Sequence, residues 1–150
     1  ASEALLRSVP VQEGDALHIT GQIRSFNSRI PGGRRLVISV LASSLEVCGA
    51  PHDNLVTLTG VICKEPVYRR TPLGREICDI MLAVNRAYRR ADYLPCILWG
   101  KTAESAAGLP IGTHLTLTGR LQSRSYIKLI DGRAEQRTAY EISAISAEPI

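Results

Sequence analysis

Two segments of the chain, 98 residues apart, carry one pattern. Residues 14–25 read GDALHITGQIRS and residues 112–123 read GTHLTLTGRLQS, both Gly-x-x-Leu-x-hydrophobic-Thr-Gly-x-hydrophobic-x-Ser. Apolar and polar side chains alternate on either side of the shared Thr-Gly, which is the period of a strand with one buried face. Each copy follows a helical stub with a proline and precedes a turn and another strand. Such a repeat constrains the fold before single elements are assigned, because both copies must build the same supersecondary unit. The 150 residues then hold one and a half units. Residues 54–148 contain strand, strand, strand, helix, strand, strand, and residues 1–47 contain only helix end, strand, strand.

The first three strands of the complete unit lie in residues 54–101, NLVTLTGVICKEPVYRRTPLGREICDIMLAVNRAYRRADYLPCILWGK. LVTLTGVICK is the first strand, Pro66 interrupts it, and VYRRTPLG is expected as a turn. REICDIMLAVNRAY is the second, with Cys78, Ile80, Leu82 and Val84 on one face. Arg89, Arg90, Ala91 and Asp92 are expected as a short loop. DYLPCILWG is the third, with Tyr93, Pro95, Ile97 and Trp99 on one face. Pro95 cannot donate to a ladder, which places this strand at an edge or a bulge. KTAESAAG gives one to two helical turns closed by Gly108. In the fourth strand Leu115, Leu117 and Leu121 point one way, and Thr118, Arg120, Gln122, Arg124 and Tyr126 the other. Asp131-Gly132 is the strongest hairpin signal in the chain, and TAYEISAISAE closes as the last strand.

At the other end, residues 1–8 are the end of a helix stopped at Val9-Pro10. A hairpin about Pro31-Gly32-Gly33 then joins VQEGDALHITGQIRSFNS to RRLVISVLASSLEV. Leu17, Ile19, Gly21 and Ile23 share one face of its first strand, and His18, Thr20, Gln22, Arg24 and Phe26 the other. Residues 48–53 are turn-rich and mark a boundary. The expected organisation is therefore 1–47, a partial unit; 48–53, a linker; and 54–150, a complete barrel.

The net charge is only +4, so its distribution matters more than its size. Residues 64–90 hold seven basic side chains against three acids, whereas the segment before residue 48 holds five against four. Clustered Lys and Arg gain affinity for a polyanion by releasing counterions, although a merely solvated surface is the alternative on charge alone. Aromatics recur at the turns and strand ends beside these cations, which is the chemistry of backbone attraction combined with base stacking. No run approaches 18 apolar residues and no signal peptide is visible, so no membrane span is expected. Cys48, Cys63, Cys78 and Cys96 form no C-x-x-C pair and read as reduced thiols of a cytosolic protein. Cys48 and His52 lack the second pair that a zinc site needs. Gly100-Lys101-Thr102 lacks the upstream glycine of a phosphate-binding loop, since position 95 is Pro. His18, His52 and His114 are scattered. Neither catalysis nor a metal, cofactor or small-molecule substrate is expected.

Five strands with a helix between the third and fourth is the order of the OB-fold, a small Greek-key barrel. Over residues 54–148, the blocks NLVTLTGVICKEPVYRRTPLGREICDIMLAVNR, ILWGKTAESA, IGTHLTLTGRLQSRSY and TAYEIS resemble the bacterial single-stranded DNA-binding proteins in order and spacing. The stretch with GQIRSFNS resembles the variant with two barrels in tandem, the first half of barrel one being absent. The resemblance implies an all-β chain and a partner, single-stranded DNA, bound without strong sequence preference in replication, recombination or repair. It implies base stacking at Tyr88, Tyr93, Trp99 and Tyr126, and basic contacts at Arg69, Arg86, Lys101, Arg120 and Arg124. Arg70, beside Tyr68 and Arg69, joins them as a basic candidate. The location implied is cytoplasmic, with the nucleoid.

The chain departs from that family in ending at EPI, without the acidic-tipped tail that recruits other proteins, and in a short loop at residues 88–92. Its start inside a helix suggests a longer natural protein. The N-terminal hairpin leaves an apolar face and strand edges unsatisfied. It is expected to pack on a neighbouring subunit, with Phe26 sealing an interface, in a homodimer or homotetramer. The competing reading is an OB-fold interaction or assembly module with weak or no nucleic-acid binding, since the fold alone does not imply DNA.

Overall fold

The computed structural model describes residues 3–30, 33–49 and 52–150; the Pro31-Gly32 turn and Ala50-Pro51 of the linker lie outside them. The chain divides into two units, residues 1–53 and 54–150. In the first, α1 (Glu3–Ser8) precedes β1 (Leu17–Ile30) and β2 (Gly33–Val47), an antiparallel pair. The second holds β3 (Val56–Ile62), β4 (Val67–Arg70), β5 (Glu76–Arg86), β6 (Arg90–Trp99), α2 (Gly100–Ala107), β7 (His114–Ile130) and β8 (Arg133–Pro149).

Alternation in the second unit is cashed out as a closed barrel. β3 pairs with β7, β7 with β8, β8 runs parallel to β6, and β6 pairs with β5. β5 then returns to β3 through Val61↔Ala83 and Ile62↔Leu82, closing five strands in the OB-fold order. Leu58, Ile62, Cys78, Ile80, Leu82, Leu94, Cys96, Leu98, Leu115, Leu117 and Ile142 fill the interior. Ala103 and Ala106, the buried residues of α2, let the helix approach β5 and β6 closely. The Asn54 side chain accepts from the Leu121 N–H at 3.0 Å and donates to the Leu121 carbonyl at 2.8 Å, extending the β3–β7 ladder by one rung. Burial, with the Glu141 carboxylate as a second cause, pushes the Cys96 thiol up to about 12 from an ordinary value of 9.0. Its contribution to stability is therefore complete below about pH 9 and is lost as pH rises toward 12.

Three local expectations are corrected. Val67–Arg70 is a strand, paired with β5 from Val67↔Asp79 to Arg70↔Glu76, and the turn is confined to residues 71–75. The β5–β6 loop is residues 87–89, because Arg90, Ala91 and Asp92 already pair with Arg86, Asn85 and Val84. β6 lies inside the sheet rather than at its edge. Pro95 is tolerated because pairing with β8 begins only at Cys96, leaving that side of β6 without a partner strand up to the proline. Gly108 follows α2 as expected, at φ −92° rather than in a left-handed cap.

The sequence repeat is also a repeat of backbone irregularity. In β1–β2 the register breaks between Thr20↔Ser44 and Gly21↔Ala42, skipping Ser43. In β7–β8 it breaks between Thr118↔Ser146 and Gly119↔Ala144, skipping Ile145. Each is a β-bulge, which bends and twists its hairpin. A Cβ on Gly21 would collide with the Leu41 carbonyl oxygen, and one on Gly119 with that of Ser143, so both Thr-Gly pairs have one steric cause. The two hairpins differ in cover. Leu115, Leu117 and Ile142 are at most 1% exposed, whereas their counterparts Leu17, Ile19 and Val40 are 37%, 46% and 41% exposed.

At the far end of β5–β6, Asp92 is 2% exposed. Arg86 Nε, itself buried and without a well-aligned hydrogen bond, lies 3.0 Å from its Oδ2, an ion pair with a buried carboxylate and a side chain partly exposed at its arginine end. Removing Arg86 takes a compensating cation from a buried carboxylate. Arg86→Ala should lower the stability of the barrel by about 1–3 kcal/mol, read as a shift of the urea midpoint. A midpoint equal to wild type would show that Asp92 does not depend on Arg86.

Candidate nucleic-acid interface

Strand register decides which side chains share a surface. Across β5–β6 the pairs Ile77↔Trp99, Asp79↔Ile97, Met81↔Pro95 and Ala83↔Tyr93 share the side opposite to Cys78, Leu82, Leu94 and Leu98; Ile77 and Ile97 on that side are themselves covered, and the others reach solvent at least in part. β4 adds Val67 and Arg69, opposite Asp79 and Ile77. The parallel pair Ile97↔Ser143 carries the same face onto β8, and Arg120↔Ser143, Gln122↔Glu141, Arg124↔Ala139 and Tyr126↔Arg137 carry it onto β7. Arg69, Tyr93, Trp99, Arg120, Arg124 and Tyr126 therefore lie on one continuous outer surface. The two groups that alternation kept separate in the sequence are joined through β8.

The aromatics on this surface differ in availability. Tyr93 is 44% and Tyr126 37% exposed. The Arg124 guanidinium carbon lies 5.9 Å from the Tyr126 ring centroid, within cation–π range. Trp99 is half-buried, and its Nε1–H donates to Ser143 Oγ at 2.9 Å, so its indole is fixed in plane against β8. Tyr88 is not on the sheet. It sits at the tip of the β5–β6 turn, 95% exposed, with φ of 63° at Tyr88 and 58° at Arg89. Two successive left-handed residues without glycine cost about 1–2 kcal/mol each. Tyr68 faces away from Arg69; desolvation first, and then its hydrogen bond to Glu76, raise its hydroxyl above the usual tyrosine range. Tyr140 is on the opposite parity of β8 from Glu141, and Phe26 is 55% exposed in the other unit.

Most of the candidate cations already hold a carboxylate. Arg69 Nε donates to Asp79 Oδ2 at 2.7 Å. Arg124 Nε donates to Glu141 Oε2 at 3.1 Å, and Gln122 Nε2 donates to the other oxygen of Glu141 at 3.0 Å. Arg70 pairs with Glu76 at 3.1 Å on the opposite parity of β4 from Arg69, and Arg86 is held by Asp92. Lys101, in the first turn of α2, and Arg120 are exposed and make no ion pair within 4 Å among the described residues. Asp79, Glu141 and Ser143 are the members of this surface that sequence reasoning missed, while Gln122 shares a face with Arg120, Arg124 and Tyr126 in the alternation without being a candidate. Each carried one signal, a polar residue at the outward period of an apolar strand, but its partner depends on register. Lys64, Asp79, Pro95, Ile97, Arg124 and Glu141 line a shallow depression of about 240 Å³ in the middle of the face.

Past Gln122 the β7–β8 pair runs on as a two-stranded arm as far as Ile130↔Arg133. Arg124, Tyr126 and Lys128 occupy one side of it. Ile127 and Leu129, 71% and 75% exposed, occupy the other. Among the described residues no three His, Cys, Asp or Glu side chains gather as metal ligands, and no helix is long and apolar enough to cross a membrane.

Comparison with known proteins agrees with this geometry. Single-stranded DNA-binding protein 2 of Listeria innocua is 40% identical over 80 residues, covering 49% of this chain and 50% of that one. Single-stranded DNA-binding protein B of Bacillus subtilis is 40% identical over 80 residues, 49% of this chain and 71% of that one. The chain thus spans about half the length of the Listeria relative. The crystal structure of the single-stranded DNA-binding protein from Thermus aquaticus superposes with a TM-score of 0.76 at 24% identity, over 94% of this chain and 62% of that one, a likeness of fold. The model of the Single-strand binding protein family matches residues 53–149, which take in the whole barrel and every candidate side chain. The chain belongs to the single-strand binding protein family.

Proposed function

We propose that the chain binds single-stranded DNA with little sequence preference, in the service of replication, recombination or repair in the cytoplasm. The observation that carries this reading is the shared outer surface of Tyr93, Trp99, Arg120, Arg124 and Tyr126, continuous from β6 through β8 to β7. Cations on that surface attract the phosphate backbone, and stacking on each aromatic adds about 1–3 kcal/mol per base. Stacking also selects unpaired strands, because paired bases hide their faces. The relatives named for single-stranded DNA binding support the same conclusion. Tyr88 contributes as an exposed tip at the rim, and Lys101 and Arg120 supply the readily available charge. Arg69 and Arg124 contribute through guanidinium groups shared with carboxylates. Arg70 and Arg86 act at the margin, the latter mainly by holding Asp92.

A titration with a thymidine oligonucleotide tests this. Trp99 fluorescence should be quenched, and the affinity should fall as salt rises. Tyr93→Ala and Tyr126→Ala should each weaken binding by about 1–3 kcal/mol. Binding that ignores salt and both substitutions would reject the surface, and weak or absent binding at low salt would favour an OB-fold interaction module.

The uncovered face of the β1–β2 hairpin supports a homodimer or homotetramer. Leu17, Ile19 and Val40 are exposed on one face of the hairpin and Leu41 and Phe26 on the other, and an isolated two-stranded hairpin is marginal in water. Light scattering at micromolar concentration should give at least twice the mass of one chain; a strict monomer would contradict the assembly.

A further inference from the structure

The outer face, read as a surface for single-stranded DNA, carries two carboxylates in its centre, and the inference drawn here rests on that reading. Asp79 is hydrogen-bonded to Arg69 at 2.7 Å, and Glu141 to Arg124 at 3.1 Å. A polyanion crossing the depression between them meets two arginines that are already neutralised. The two pairs are not equivalent. Side-chain exposure is 45% for Arg69 and 36% for Asp79, so both ends of that pair reach solvent. Exposed pairs are worth little and exchange readily. The Glu141 side chain is 5% exposed, and Arg124 and Gln122 both bind it. Pulling Arg124 away would leave a buried carboxylate with one neutral donor, which is costly.

We propose that Asp79 is a built-in competitor for the strand: a phosphate reaches Arg69 only by displacing the Asp79 carboxylate, while Glu141 stays bound and positions Arg124. Arg124 keeps its Nε on Glu141 and still has its terminal N–H groups for the strand, beside Tyr126. Arg69 has to change partners. Val67 and Ile97 are the cross-strand neighbours of Asp79, and the other cations lining its depression are Lys64 and Arg124, the latter already on Glu141. The freed carboxylate is left to Lys64 or to a cation from solution, and recruitment from solution cancels part of the counterion release that the phosphate contact would give. Asp79 thereby limits affinity and flattens the salt response.

The test is a double-mutant cycle of Asp79→Asn and Arg69→Ala, with thymidine-oligonucleotide affinity measured by anisotropy at several salt concentrations. Asp79→Asn should bind about two- to fivefold tighter. Its log–log salt slope should steepen by up to about 0.7, the share of one single-strand phosphate contact. In the Arg69→Ala background the same substitution should gain nothing. An equal gain without Arg69 would mean a general charge effect and overturn the proposal, as would no gain in a wild-type background that itself binds with salt dependence. Asp79→Ser serves as a second variant with the same expectations. A wild-type chain that fails to bind at low salt would overturn the surface reading and this inference together.

Discussion

Three parallel residue pairs, Cys96↔Ile142, Ile97↔Ser143 and Leu98↔Ala144, hold the candidate surface together. On one side of β8 lies the β4–β5–β6 sheet with Arg69, Tyr93 and Trp99. On the other lies β7 with Arg120, Arg124 and Tyr126. Without this short contact the aromatics would sit on two separate hairpins. Its inner members, Cys96, Leu98, Ile142 and Ala144, are core residues, and its outer member Ser143 receives the Trp99 indole hydrogen bond. The packing of the core and the alignment of the surface therefore depend on one register.

Electrostatics refine that picture. A count of basic residues suggests a strongly attractive face, but four of the six basic candidates are bound to carboxylates. The pairs differ in what they contribute. Asp92 is buried, and its pair with Arg86 is an element of barrel stability. Glu141 fixes a guanidinium beside an aromatic ring. Asp79 sits in the open, where exchange with another anion is cheap. A modest net charge with local pairing keeps the face orderly in the absence of a ligand and leaves Arg120, Lys101 and the exposed tyrosines as the groups most available to an incoming strand.

Much of this was legible in the residues. Period-two alternation put Cys78, Ile80 and Leu82 on one face of REICDIMLAVNRAY and Tyr93, Ile97 and Trp99 on one face of DYLPCILWG, and the repeated Thr-Gly marked two related hairpins. What was not legible came from long-range pairing. Pro95 read as an edge or bulge residue because nothing local says that β8 starts beside Cys96. Val67–Arg70 read as a turn because four exposed residues after a proline show no buried face. The bulge at Gly119 arises from the close approach of the Ser143 carbonyl, 24 residues away in sequence. The partners of Arg69 and Arg124 likewise appear only when strands are in register, which is why four arginines looked freer in sequence than they are.

The central claim is that one outer surface, spanning β6, β8 and β7, is where a strand of DNA lies. Photo-crosslinking to an oligonucleotide carrying halogenated uracils, followed by mapping of the modified peptides, measures this directly. The account predicts crosslinks at Tyr93, Trp99 and Tyr126, with Tyr88 at the rim. Crosslinks confined to the Ile127–Leu129 side of the arm or to the β1–β2 hairpin, with Tyr93 and Tyr126 unmodified, would contradict it.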